Sequence, residues 1–212
     1  MKKEEILKAM NWRYATKVYD TSKKVSEDDL NTVLETARLS PSSNGIEMWK
    51  FLVIKDIKIR EQLKTVSYGQ PKVTDASYLI VVTYRTDAKE NLIKERLERT
   101  ARIENVDESK LEGLKAMLEN AVTTKSANGT LESWVAAQTY ISLGVMIETA
   151  ALLGIDACPM EGFQPDKVDE VLNLKEKNLK SVTMFTLGYR GVDPMSEFPK
   201  VRRSFDEVVE II

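Results

Sequence analysis

Ser133–Phe163 reads SWVAAQTYISLGVMIETAALLGIDACPMEGF. From Trp134 to Leu153 the only strongly polar side chains are Gln138 and Glu148, with Thr139, Ser142 and Thr149 as mild ones. A helix apolar nearly all round is either buried in a large core or lies in a membrane. Spanning a bilayer takes about 20 clean apolar residues, and a carboxylate near its centre costs roughly 2.5–3.5 kcal/mol. Glu148 and the scattered hydroxyls therefore favour a buried helix. Gly154 ends it, since glycine accepts the left-handed cap conformation. Ile155–Cys158 is a short apolar run suited to a strand, and Pro159-Met160-Glu161-Gly162 breaks that run into a turn. Such a turn can hold main chain rigidly beside a ligand, or it can be an ordinary turn after a core helix.

The rest of the chain narrows the function classes. At 212 residues, with 42% apolar and 30% charged side chains, it suits one soluble domain or one subunit of an intertwined oligomer. A net charge of −2 offers no sequence-independent grip on nucleic acid. The first residues, MKKEEILKAM, contain no apolar segment of signal-peptide length, so the expectation is a cytoplasmic protein without a membrane partner. One cysteine, Cys158, excludes an internal disulfide and a thiolate zinc cluster; its apolar setting suggests a buried, inert thiol. Most restrictive is the absence of histidine. It removes Ser-His-Asp and Cys-His machinery, His-ligated metals and the usual base near neutral pH. An enzyme built this way uses carboxylates and lysines, or lets a cofactor carry the chemistry.

Helical spacing predicts helices over Lys2–Asn11, from the capping-box start at Ser26 to before Ser40, near Ile59–Val66, over Asp87–Asn105 and Asp107–Thr124, and from Pro165 to Leu172. Trp49–Lys55, Tyr78–Tyr84 and Ser181–Tyr189 read as strands. Pro41–Gly45 is a loop by composition, and Val208–Ile212 ends the chain in bare aliphatics. Three or four strands among six or seven helices give an α+β or three-layer α/β/α fold. No G-x-G-x-x-G follows a strand and no P-loop is present, so a Rossmann site is not expected. Cations gather where regular structure ends: Arg13 and Lys17 past the first helix, and Lys200, Arg202 and Arg203 after Pro199. Arginine suits bidentate phosphate contacts and lysine serves as a point charge, although each cluster alone is more consistent with solvated surface pairs.

Five motifs occur in order: Arg13-Tyr14-Ala15-Thr16-Lys17-Val18-Tyr19-Asp20; Ser40-Pro41-Ser42-Ser43-Asn44 leading to Trp49-Lys50-Phe51; Pro159–Phe163; Leu187-Gly188-Tyr189-Arg190; and Pro199-Lys200-Val201-Arg202. Together the set resembles the FMN-dependent nitroreductase family of NAD(P)H-using oxidoreductases, most closely its oxygen-insensitive, dihydropteridine-reductase-like branch. The resemblance implies an α+β, three-layer α/β/α sandwich with a mostly antiparallel central sheet. It also implies one FMN-binding domain over residues 1–212, in an intertwined homodimer that exchanges C-terminal arms.

Residue by residue, the resemblance implies that Arg13, Lys200 and Arg202 hold the FMN phosphate, flanked by Tyr14 and Ala15. Lys17 and Lys72 would lie by the pyrimidine edge, where a fixed ammonium stabilises the reduced anion. Pro159, Met160, Glu161 and Gly162 would offer main chain, with an N–H aimed at flavin N5 and glycine permitting close approach. Pro41, Ser42, Ser43 and Asn44 would reach the same flavin from the partner subunit. Three departures stand out. Ala15 replaces a serine, and Glu47-Met48 replaces Gln-Pro, bringing a carboxylate near the flavin edge. A flavin-contacting asparagine falls at Gly69 or Gln70. The implied activity is ping-pong transfer of hydride from NADH or NADPH to a nitroaromatic or quinone-type acceptor. Two competing readings are a flavin-storing or sensing protein of the same fold, and a flavin-free dimer whose cations pair with surface acids.

Overall fold

Tyr78–Arg85 forms β2, whose residues from Leu79 to Tyr84 are all buried. In the computed structural model, which describes residues 2–212, β2 lies between β1 (Trp49–Ile54) and β4 (Leu179–Gly188). β3 (Asp156–Met160) completes the sheet on the far side of β4, and every pairing is antiparallel. Ile80 stands opposite Val53 on one side and Phe185 on the other, which fixes the register through the middle of the sheet.

Alternation along the strands divides the core in two. Ile80, Val82, Phe185 and Leu187 pack toward α2 (Glu27–Arg38) and α7 (Leu131–Leu152). Leu79, Val81, Met184 and Cys158 pack toward α3 (Ile57–Thr65), α4 (Lys72–Asp75) and α8 (Pro165–Leu172). Met184 and Phe185 are fully buried on opposite faces, and burying each such side chain contributes roughly 1.5–3 kcal/mol. Helices on both faces make the three-layer α/β/α arrangement expected from the sequence. A third core joins Met48 and Tyr84 to α5 (Ala88–Glu104), α6 (Glu112–Ala127) and the first turn of α7. α1 (Lys3–Trp12) lies against α7, and the short α9 (Phe205–Val208) sits in an exposed C-terminal tail.

Two expectations are corrected. Pro159 and Met160 belong to β3, paired with Phe185 and Met184, instead of opening the turn. β3 is an edge strand, where proline's missing N–H need not break a ladder. Two helices of four residues, α4 and α9, exceed the expected six or seven; neither is long enough to show a period. α7 is long and apolar enough to cross a membrane, and 44% of its most apolar window is buried within the chain. The chain covers only one side of it. Gln138, Ser142, Met146 and Ala150 face inward, while Ala137, Tyr140, Ile141, Gly144 and Glu148 form an exposed stripe.

Candidate functional site

The segment after α1 runs along the outer edge of β3. Ala15 bridges Ala157, and the Thr16 N–H donates to the Ala157 carbonyl at 3.3 Å. Farther on, the buried Tyr19 hydroxyl bonds Thr186 Oγ1 at 2.9 Å. Its ring lies so close to Gly188 that a Cβ there would be 2.5 Å from Tyr19 Cδ1. Only glycine admits that approach. Two buried carboxylates then lock the segment. Asp156 accepts from the Arg190 main-chain N–H at 2.8 Å and from Nε at 2.7 Å. The Arg190 guanidinium itself lies over the rings of Trp12, at 4.2 Å, and Tyr14, at 4.7 Å. Asp193 accepts from the Tyr14 hydroxyl at 2.9 Å, the Lys17 N–H at 2.8 Å, the Val18 N–H at 3.2 Å and the Met195 N–H at 3.0 Å. Burial and the Asp193 hydrogen bond push the Tyr14 hydroxyl pKa up to about 12.

This lacing brings the two ends of the chain together around a cavity of about 420 Å³. Arg13, Tyr14, Ala15, Lys17, Lys200 and Arg202 all line it. Lys200 Nζ donates to the carbonyls of Met10, at 2.7 Å, and Arg13, capping the C-terminal end of α1 where a cation is favoured. Burial and then Arg202 hold the Arg13 pKa below its ordinary value; burial, Arg13 and Arg202 do the same to Lys200. Among the described residues no carboxylate is ion-paired with Arg13, Lys17, Lys200 or Arg202. Mutually repelling cations around an open cavity are matched to a polyanionic head such as a phosphate monoester.

The turn after β3 is held from two sides. Gln70 Nε2 donates to the Gly162 carbonyl at 2.6 Å and to the Ser67 carbonyl at 3.0 Å. On the other side, the Tyr140 hydroxyl of α7 donates to Glu161 Oε1 at 2.7 Å. Main-chain N–H groups of Glu161 and Gly162 have no acceptor among the described residues, and both residues are exposed. Gly69 is exposed with nothing within 4 Å of its would-be Cβ, so the amide contact to the turn falls to Gln70. Lys72 is buried at the start of α4, with Nζ 3.2 Å from Cys158 Sγ. Arg60 fixes α4 by donating to the carbonyls of Val73, at 2.7 Å, Ala76, at 2.6 Å, and Ser77, at 3.4 Å.

Pro41, Ser42, Ser43 and Asn44 do not line the same chain's cavity. Their loop docks on α7, where the Ser43 N–H donates to Gln138 Oε1 at 2.8 Å. Gln138 and Tyr140 are two residues apart, about 200° around a helix. The 41–44 loop and the 159–162 turn therefore flank opposite faces of α7 at one level. Glu47, expected to bring a carboxylate near the flavin edge, is 3.4 Å from Arg99, which also donates to the Gly45 carbonyl at 3.1 Å.

Asp156, Asp193, Arg60 and Arg190 act as positioning groups that were not expected from the sequence. Asp156 carried a signal, because a lone acid inside an apolar strand requires a buried cation or donors. Asp193 and Arg60 carried none, since their partners are distant in sequence or are main-chain carbonyls.

Comparison with known proteins supplies the family. The model of the nitroreductase family matches residues 10–189. The chain belongs to that family. A Staphylococcus haemolyticus protein named "Putative NAD(P)H nitroreductase" is 40% identical to this nitroreductase-family chain over 220 residues, covering 99% of this chain and 98% of the relative. YfkO of Bacillus subtilis, of the same description, is 38% identical over 98% of this chain and 97% of its own. Among solved structures, Bacillus subtilis ydfN superposes with a TM-score of 0.85 at 22% identity over 99% of both chains. An Exiguobacterium sibiricum structure, described as a "putative nitroreductase in complex with FMN", superposes at 0.78 with 22% identity over 100% of this chain and 98% of its own. Both share the nitroreductase fold with this chain.

Proposed function

We propose that the chain is an NAD(P)H-dependent FMN oxidoreductase, a single domain acting as a cytoplasmic homodimer. It would pass hydride in two half-reactions from NADH or NADPH to a nitroaromatic or quinone-type acceptor. The observation that carries this reading is the cavity where Arg13, Lys200 and Arg202 converge without a carboxylate. The donor set suits FMN: cations for the phosphate, and free N–H groups at Glu161 and Gly162 for the ring. When bound, the flavin supplies the acceptance and release of hydride.

The chain's own residues bind and orient. Arg13, Lys200 and Arg202 would make charge-assisted hydrogen bonds to the phosphate, and Asp193 and Arg190 keep the segment carrying Arg13 and Lys17 in place. Gln70 takes the Gly162 carbonyl, leaving the turn's N–H groups for the ring. Lys17 and Lys72 would place positive charge where the pyrimidine edge gains electrons, favouring the reduced state. No side-chain base takes part.

The homodimer reading is supported by incompleteness. One chain presents its 41–44 loop and its 159–162 turn on opposite faces of α7, so a flavin at the turn would receive that loop from a second copy. Apart from Glu148, the stripe containing Tyr140 and Ile141 is largely apolar and exposed, as are Phe205, Val208, Val209, Ile211 and Ile212 of the tail. These surfaces are suited to mutual burial, with the tail embracing the partner. The flavin-storage alternative drew on Glu47 and Ala15; with Glu47 paired to Arg99, Ala15 is its remaining support.

The absorption spectrum of the purified protein tests the reading, followed by rapid mixing with NADH and with NADPH. A bound flavin that bleaches supports it. A bound flavin that stays oxidised favours storage, and a protein that neither carries nor takes up FMN sinks both.

A further inference from the structure

Lys72 is only 6% exposed, and the Cys158 sulfur at 3.2 Å is its one side-chain hydrogen-bond partner among the described residues. No carboxylate is ion-paired with it there. Burying an ammonium without an anion costs several kcal/mol, and a thiol is a weak acceptor. Two of its three donors therefore remain unspent. Arg60 fixes the main chain that carries Lys72 by tying three carbonyls at the end of α4. Cys158 is 1% exposed on β3, and its own S–H points to the Pro159 carbonyl at 3.4 Å. The sulfur thus joins the buried ammonium to the strand that delivers the 159–162 turn.

We infer that Cys158 is a positioning residue for Lys72, its sulfur holding the buried ammonium in the one place from which the charge acts on the flavin edge. This rests on the proposed tuning role of Lys72. Lys17, by contrast, is exposed, and water screens its charge. A buried charge acts through a lower dielectric, so its position matters more. A thiol is well suited here because it fills a hydrophobic slot, accepts one N–H, and leaves the other donors for the ligand. In place of an inert packing residue, Cys158 becomes the local registration point between α4 and β3.

The test compares Cys158→Val, which keeps shape and burial but removes the acceptor, with Cys158→Ser, which keeps an acceptor, and with Lys72→Met. Readouts on the full chain are FMN affinity, flavin reduction potential and the infrared S–H stretch, which Cys158 alone can give because it is the only cysteine. Cys158→Val is expected to weaken FMN binding about tenfold, the scale of one hydrogen bond to a charged group. It should also lower the potential in the same direction as Lys72→Met, and Cys158→Ser should restore both. The S–H band of the wild type should move in Lys72→Met. If Lys72→Met shifts the potential while Cys158→Val behaves as wild type, the inference is overturned and the role of Lys72 stands. If Lys72→Met leaves the potential unchanged, the tuning role fails and the inference falls with it. Should Cys158→Val not fold, the S–H band decides: an unmoved band in Lys72→Met overturns the contact.

Discussion

The side-chain amide of Gln70 donates to the carbonyl oxygen of Gly162 across 2.6 Å. A residue in the connection between α3 and α4 thereby fixes a turn 92 positions away. With the carbonyl engaged and the Glu161 carboxylate held by Tyr140, the turn presents main-chain donors, and its side chain faces α7.

Gly162→Val is therefore expected to damage flavin binding, and Glu161→Gln to spare it. A Cβ at position 162 would stand 3.2 Å from Gln70 Nε2, tight enough to displace the amide. Overpacking of this kind costs about 1–3 kcal/mol, roughly 5- to 150-fold if it falls on FMN affinity. The Glu161 carboxylate is exposed and makes one bond, so its loss should change affinity by less than about threefold. Fluorescence titration with FMN measures both, and the opposite ranking would refute the main-chain role.

Asp193→Asn tests the lock between the chain ends. Burial works against ionisation of Asp193, but the Lys17 N–H, the Tyr14 hydroxyl and the N–H groups of Met195 and Val18 outweigh it and hold its pKa below the ordinary carboxylate value. A depressed folded pKa contributes stability that is present above the unfolded value and is lost as pH falls through the folded one. The wild type should lose stability as pH drops below about 4, while the asparagine variant should be less stable at neutral pH by about 1–3 kcal/mol and flatter in acid. Urea unfolding at several pH values gives both slopes. Equal slopes would remove Asp193 from the lock.

Asp193 also shows what the sequence could and could not disclose. The strands of the sheet centre were legible because Tyr78–Tyr84 and Ser181–Tyr189 are apolar runs that only a doubly covered sheet can use. α7 was legible as a helix, and Gly154 as its end, but which face the chain itself covers depends on elements distant in sequence. Cations at Arg13, Lys200 and Arg202 stood out as clusters, whereas Asp193 acts on Lys17 from 176 residues away, inside a tail without periodicity. Four-residue helices such as α4 have no period to read, so the site of Lys72 was reached by resemblance and its burial was not foreseen. Pro159 misled because a breaker in a central strand is permissible in an edge strand, and edge position is a property of the whole sheet.

Arg202→Ala separates phosphate recognition from ring recognition. Arg13 and Lys200 are held below their ordinary pKa values by burial and by the neighbouring cations, so a phosphate relieves repulsion as well as adding bonds. Removing Arg202 should weaken FMN about tenfold and leave riboflavin, which lacks the phosphate, within about twofold. Added salt should weaken FMN binding to the wild type more than to the variant. Equal losses for both ligands would move the phosphate elsewhere.

Arg60→Met should be among the costliest single changes outside the sheet. It would strip donors from three carbonyls at the end of α4. Orphaning buried acceptors of this kind costs about 1–3 kcal/mol each, less where water can replace the donor at Ser77. Chemical denaturation should register a loss of about 2–4 kcal/mol, and hydrogen exchange should rise first at Val73–Ser77. A loss under about 1 kcal/mol would show that α4 is held by its apolar contacts instead.

Ile141→Arg carries the test of the second subunit. Ile141 lies on the exposed stripe of α7, one residue from Tyr140, and its own chain leaves it 42% exposed. In an isolated chain an arginine there would be solvated, so folding should survive with helix content unchanged. In a dimer that buries the stripe, the same guanidinium would be buried without an anion, at a cost of several kcal/mol. Sedimentation should then report a monomer, and FMN affinity should fall because the 41–44 loop no longer reaches the flavin held by the other copy's 159–162 turn. Dimerisation and flavin binding should be lost together. A variant that stays dimeric would place the interface off this stripe, and a monomer that still binds FMN tightly would mean that one chain holds the whole site.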